Sequence, residues 1–128
     1  MENRYPYVNT PLPYAYDALE PFIDEKTMHL HHDRHLQTYI DNLNGLLRDC
    51  PALQCLPLEK LLTSPCHIPA SLAVPVRNNA GGVYNHRFFF AGMAPPSGAM
   101  VRGRLYCEID RQFGGLDRFK TLFKAQAL

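Results

Sequence analysis

Apolar residues recur at helical spacing in the first half of the chain. From Met28 to Leu47 the apolar positions follow a period close to 3.6 residues, and no proline interrupts them. This periodicity predicts a long helix with one buried face. Asp24 would be its N-cap, because a short acidic side chain accepts hydrogen bonds from the first-turn N–H groups.

A second long helix is predicted over residues 77–93, "RNNAGGVYNHRFFFAGM". Asn78 or Asn79 would cap its start, since asparagine is a favoured N-cap residue. Gly81 and Gly82 lie early in this helix, and each glycine costs about 1 kcal/mol relative to alanine. Their presence there indicates close packing or ligand access.

Prolines divide the rest of the chain into shorter pieces. Residues 5–22 carry prolines among tyrosines, which predicts an extended arm laid over an apolar surface. Five prolines between residues 48 and 76 predict loops, with one short helix in "LPLEKLL" that starts at Pro57. The run Pro-Pro-Ser-Gly at 95–98 is the clearest linker.

Beyond this linker, residues 99–113 and 116–126 read as two amphipathic helices, the second capped by Asp117. The chain is therefore predicted to be mainly α: a long antiparallel helical hairpin followed by two shorter helices. The expected organisation is an arm and hairpin domain at 1–94, a hinge at 95–98, and the helical start of an incomplete C-terminal domain at 99–128.

Composition narrows the classes of function. The 128 residues are 46% hydrophobic with a net charge of +1, which indicates one globular domain, or one and part of another. So small a net charge does not indicate nucleic-acid binding. No apolar run approaches the roughly 18 residues that a membrane-spanning helix needs. The polar N-terminus is unlike a signal or transit peptide, so a cytoplasmic location is expected. The cysteines match no zinc or disulfide spacing and are expected to be ordinary thiols: Cys50, Cys55, Cys66 and Cys107.

Four of the six histidines lie within seven positions of the first long helix, from 29 to 35. Residues four apart stack on one side of a helix, so His31, His35 and Tyr39 form a row. Two imidazoles four apart can chelate one metal, but a tight site needs three or four ligands. His86 could reach the row across an antiparallel hairpin. From spacing alone, a metal site and a set of packed or solvated histidines both remain open.

These stretches resemble the iron/manganese superoxide dismutases. "LPYAYDALEPFID" is similar to the N-terminal arm of that family, and "MHLHHDRHLQTYIDNLN" to its first helix. "RNNAGGVYNHRFFF" is similar to its second-helix motif, and "CEIDRQFGGLDRFKTLFKAQA" to the segment after its hinge. The resemblance runs from about residue 11 to the end, and it implies the N-terminal part of an α+β fold.

The resemblance implies a role for each residue of the row. His31 and His86 fall on two metal ligands, and His35 and Tyr39 on the pair that gates the substrate funnel and passes protons. His32 falls on a packing position, and His29 on a variable one. The family binds manganese or iron; "AGG" at 80–82 favours manganese, because the iron type tends to carry glutamine at Gly82.

The chain also departs from the family. The other two ligands, an Asp and a His, come from a D-x-W-E-H motif that this sequence lacks. It has no tryptophan; Phe90 stands where the second helix usually has Trp, and Phe22 where His is common. The chain thus carries two of four ligands, which implies either a truncated product or ligands supplied by another chain.

The expected function is metal-dependent dismutation of superoxide to dioxygen and hydrogen peroxide, by a homodimer, with Arg34 as a candidate for steering the anion. Two alternatives stay open. One is a catalytically inactive structural or interaction module of the same descent. The other is a different metallo-helical protein, in which Asp33 or Asp41 would supply carboxylates.

Overall fold

A computed structural model describes residues 3–64, 68–98 and 100–127, and the regular structure in these ranges is entirely helical. The elements are α1 (Glu25–His29), a π-helical segment (Leu30–Leu36), α2 (Gln37–Leu47), α3 (Pro51–Gln54), α4 (Leu58–Thr63), α5 (Ala70–Ala91), α6 (Gly103–Phe113) and α7 (Leu116–Ala127). The mainly α fold is confirmed. The chain divides into two compact units, Met1–Pro96 and Ser97–Leu128, and this boundary falls inside the segment predicted as a hinge.

The first long helix begins as predicted. Asp24 Oδ1 accepts a hydrogen bond from the Thr27 N–H at 2.8 Å, and Oδ2 accepts one from the Thr27 hydroxyl at 2.8 Å. α1 then continues without a break into the π-helical segment and α2. The π-helical segment, which sequence periodicity did not predict, contains three of the clustered histidines.

The second long helix starts earlier than predicted. α5 begins at Ala70, after Pro69, so neither Asn78 nor Asn79 is its N-cap. Asn79 instead lies inside the helix, where its side-chain amide donates to the Pro75 carbonyl at 2.9 Å. The prolines suggested a loop here, but the fully buried Val76 ties the first turns to the core, and tertiary packing outweighs local propensity.

The segment between the long helices contains two short ones. α4 follows Pro57, within one residue of its predicted start. α3 was expected to be loop; Pro51 occupies its first turn, where a missing N–H costs no helical hydrogen bond. Residues 65–67, and with them Cys66, lie outside the described ranges.

One hydrophobic core holds the first unit together. It joins the arm (Tyr7, Leu19), the first long helix (Met28, Leu36, Ile40, Leu43, Leu47), the short helices (Leu53, Leu58, Leu61) and α5 (Val76, Ala80, Val83, Phe90). The two long helices run antiparallel, because the His31 ring packs near Phe90 whereas Tyr39, further along, packs against Gly82.

The second unit is a pair of helices joined by two glycines. α6 ends at Phe113 and is closed by Gly114 in the left-handed conformation, at φ 74°. Residues 100–102 are not helical, so α6 starts later than predicted. α7 begins at Leu116, which places Asp117 in its first turn rather than at the N-cap. The negative charge of Asp117 still interacts favourably with the positive, N-terminal end of the α7 helix dipole. Within the described ranges, no helix is both long and apolar enough to cross a bilayer.

Candidate metal centre

Three histidine rings meet between the π-helical segment and α5. The ring centroids of His31 and His86 lie 5.0 Å apart, those of His35 and His86 5.0 Å apart, and those of His31 and His35 5.8 Å apart. The row deduced from spacing is thus present, and His86 reaches it across the hairpin. The metal-binding role of His31 and His86 remains a prediction.

The orientation of His86 is fixed by its own helix. Its Nδ1 lies 2.7 Å from the carbonyl oxygen of Gly82, one helical turn earlier. A carbonyl can only accept, so Nδ1 carries the proton and donates it, which leaves the lone pair on Nε2. A main-chain carbonyl bonded to the second ring nitrogen is the usual support of a metal-binding histidine.

His31 sits in an apolar environment. Its ring centroid lies 5.0 Å from that of Phe90 and 5.6 Å from that of Phe89. Burial lowers the pKa of His31, and the neighbouring His86 and His35 lower it further. Its imidazole is therefore neutral at pH 7, which is the form that binds a metal ion.

Tyr39 closes one side of the cluster. Its ring centroid lies 5.3 Å from His35 and 5.2 Å from His86. The ring lies directly over Gly82: a Cβ added there would fall 2.6 Å from Tyr39 Cγ and Cε1. Gly82 therefore serves the site twice, since its carbonyl orients His86 and its missing side chain admits Tyr39.

Two open cavities flank these residues. One, of about 230 Å³, is lined by His31, Asn85, His86 and Phe89. The other, of about 260 Å³, is lined by His35, Thr38 and Tyr39. The first cavity gives a small ligand access to the imidazoles of His31 and His86, the two candidate metal ligands.

The two carboxylates considered as alternative ligands, Asp33 and Asp41, make hydrogen bonds outside the cluster of three histidine rings. Asp33 accepts hydrogen bonds from Tyr16 and from His29, and Asp41 accepts one from Gln37 at 2.7 Å. In the parts of the chain that the structure describes, no three His, Cys, Asp or Glu side chains form a group that could hold a metal ion. The residues present thus fit a metal as half of a ligand set, through the imidazoles of His31 and His86.

His29 and His32, the other two histidines among residues 29–35, contact the N-terminal arm. His32 is buried, with Nε2 2.9 Å from the Thr10 carbonyl and Nδ1 2.6 Å from Asp33 Oδ1, in line with its expected packing role. His29, interpreted as a variable position, stacks on the Tyr16 ring at 3.8 Å. Sequence reasoning missed Tyr16, because the residues it contacts lie far along the chain and no local spacing marks them.

Asp33 is the polar centre of these arm contacts. Partial burial alone would raise the pKa of Asp33, but hydrogen bonds from His29, Tyr16 and His32 outweigh it and hold the pKa well below its usual range. Its carboxylate is therefore ionised at neutral pH and serves as an acceptor only.

A helical hairpin that brings two histidines together defines a class of protein, and comparison of the sequence with known proteins identifies that class. Residues 6–94 match the alpha-hairpin domain of the iron/manganese superoxide dismutases. The chain is 46% identical over 123 residues to a manganese superoxide dismutase of Pseudomonas aeruginosa, covering 96% of this chain and 60% of that protein. It is 44% identical over 121 residues to those of Salmonella typhimurium and Escherichia coli, covering 94% of this chain and 58% of each relative.

The chain belongs to the iron/manganese superoxide dismutase family. It spans 58–60% of the length of these curated relatives.

Proposed function

We propose that this chain supplies half of the metal centre of a superoxide dismutase, with His31 and His86 as two ligands to manganese or iron. The observation that carries this is the His31–His86 pair, in which the Gly82 carbonyl leaves Nε2 of His86 free. When bound, the metal would supply the one-electron chemistry that converts superoxide to dioxygen and hydrogen peroxide. Manganese is favoured, because the relatives are named for it and because position 82 is glycine.

In this proposal the chain's own residues bind, orient and move protons. The phenol of Tyr39 and the imidazole of His35 lie beside the His31–His86 pair and can hydrogen-bond in series with water, so they would deliver the protons that peroxide requires. Arg34 is exposed near the row and would attract the anionic substrate.

The Asp and His ligands that the family adds would come from outside the described cluster. A second polypeptide segment would complete the set, or a carboxylate and an imidazole from other positions of a second copy of the chain, since each copy lacks the D-x-W-E-H motif. We propose a homodimer in the cytoplasm. The pair alone would hold a metal weakly, because a tight site needs three or four ligands.

The test measures metal content and superoxide removal on the 128-residue chain, loaded with manganese and, separately, with iron. About one metal per chain or dimer is expected, with activity lost in His31→Ala and in His86→Ala. Asp41→Asn is the matched control, because this carboxylate lies outside the cluster. If metal binding instead depends on Asp41, the alternative hypothesis of a different metallo-helical protein, with Asp41 as a carboxylate ligand, would be supported.

A second candidate function is an inactive interaction module of the same descent. It is favoured by the incomplete ligand set and by exposed apolar residues on α5: Phe88 is 73% exposed and Val74 67%. If the chain binds no metal and removes no superoxide in the experiment above, the result favours the interaction module over the enzyme.

A further inference from the structure

The cluster is built on an unusual stretch of helix. Residues Leu30–Leu36 form a π-helical segment, in which backbone hydrogen bonds run from i to i+5 and the turn is widened. Such segments are short and frequently lie at functional sites. Both His31 and His35 project from this one, so its conformation decides where their rings point.

The N-terminal arm contacts this segment at successive points. The Asn9 amide donates to the His32 carbonyl at 3.0 Å, and His32 Nε2 faces the Thr10 carbonyl at 2.9 Å. Further along the arm, the Tyr16 hydroxyl donates to Asp33 Oδ1 at 2.6 Å. The first of these bonds satisfies a backbone carbonyl inside the π-helical segment.

Tyr16 also joins the segment to the helix that precedes it. Its ring lies parallel to His29 in α1, at 3.8 Å and 12°, and edge-on to His32, at 5.8 Å and 72°. Asp33 Oδ2 meets His29 Nδ1 at 2.7 Å on the same side. The ring and its hydroxyl thus occupy the junction where α-helix changes to π-helix.

We propose that the N-terminal arm is a positioning element for the candidate metal centre: Asn9 and Tyr16 hold the π-helical segment in the conformation in which His31 and His35 both face His86. If the wide turn closed to an α-helical one, the residues before it would rotate by about 100° relative to α2, the angle of one residue. In a continuous α-helix His31 lies two four-residue steps from Tyr39, which leaves the two side chains about 80° apart around the axis. His31 would then turn away from α5 while Tyr39 stayed in place. This inference deepens the proposed function, since it concerns the same site, but its test needs no metal.

The experiment uses the full metal-free chain and the double variant Asn9→Ala/Tyr16→Phe. This variant keeps the aromatic ring but removes the Asn9 bond to the His32 carbonyl and the bonds of the Tyr16 hydroxyl to Asp33 and His32. Amide hydrogen exchange in residues 30–36 is expected to accelerate on the order of tenfold relative to α2, because each lost bond contributes modestly to local stability. The nuclear Overhauser contact between the rings of His31 and His86 is expected to weaken in parallel.

Tyr7→Phe is the matched control. It removes one hydroxyl from the same arm, the one that donates to the Leu56 carbonyl at 3.3 Å, and Leu56 lies outside the π-helical segment. Exchange in residues 30–36 should then keep its ratio to exchange in α2. Unchanged exchange and ring contact in the double variant, or an equal change in the control, would overturn the proposal.

Metal titration of the unmutated chain separates this inference from the proposed function. If that chain binds no manganese but the double variant still loses the ring contact, the proposed enzyme fails and the positioning role stands. If the chain binds manganese and the double variant binds it equally well with the ring contact intact, only the positioning role fails.

Discussion

At the scale of single residues, the two adjacent glycines of α5 have opposite roles. A Cβ at Gly81 would meet only Leu62 Cδ2 at 3.9 Å, an ordinary contact, whereas one at Gly82 would overlap the Tyr39 ring. Since alanine is the better helix former at an unobstructed position, only the second glycine is required by the packing.

We expect Gly82→Ala to lower the free energy of unfolding by about 1–3 kcal/mol, because the ring must move to admit the methyl group. Gly81→Ala, the matched control, should raise it by up to about 1 kcal/mol. Urea denaturation measures both, and the Tyr39 ring resonances report the displacement. Equal effects of the two substitutions would show that Tyr39 does not pack on Gly82.

Tyr7 gives the stability a dependence on alkaline pH. Burial raises the pKa of Tyr7 to about 12, opposed by Arg87 and assisted by Glu59. The native state therefore holds this proton more tightly than the unfolded state, whose tyrosines titrate near pH 10. Stability is full below about pH 10 and falls as pH rises towards 12.

Over that window the loss attributable to Tyr7 should be about 2–3 kcal/mol. Urea unfolding at successive pH values measures it, and Tyr7→Phe should reduce the slope. Some slope will remain, because burial and Asp33 raise the pKa of Tyr16 to about 12 as well. A slope unaffected by Tyr7→Phe would contradict this assignment.

At the scale of elements, the sequence predicted the features that depend on residues close together in the chain and missed those that depend on distant contacts. The Asp24 cap and the row of His31, His35 and Tyr39 follow from short-range spacing and were predicted. The π-helical segment depends on contacts from Asn9 and Tyr16, which no local pattern encodes. The start of α5 at Ala70 depends on core packing against its first turns, which the prolines concealed.

Pro75 is the clearest test of that packing. It lies inside α5, where it removes a helical N–H, and such a proline costs a helix interior about 3 kcal/mol. Pro75→Ala is expected to stabilise the chain by about 1–3 kcal/mol in urea denaturation. Val74→Ala, at an exposed neighbour, should change it by no more than about 0.5 kcal/mol. Destabilisation by Pro75→Ala would mean that the proline ring itself packs in the core.

At the scale of the molecule, the two units differ in how much apolar surface they bury. Among the described residues, every buried hydrophobic side chain except Ile109 belongs to the first unit. Leu105 and Phe123 of the second unit are 63% and 66% exposed. Short helices without tertiary burial are marginal in water.

We therefore expect residues 1–96 to unfold cooperatively when produced alone, with a midpoint in urea close to that of the first unit in the full chain. Residues 97–128 alone should show low helicity by circular dichroism. Strong helicity in the isolated second unit, or a non-cooperative transition in the first, would contradict this division of stability.

The bond between His86 and the Gly82 carbonyl has a consequence for how this half-site can change over generations. The acceptor belongs to the main chain, so no side-chain replacement at position 82 deletes it, although many would displace Tyr39. The helix backbone itself therefore determines that Nε2, and not Nδ1, of His86 keeps its lone pair. Substitution at position 82 can displace the Tyr39 ring while the His86 imidazole keeps its orientation.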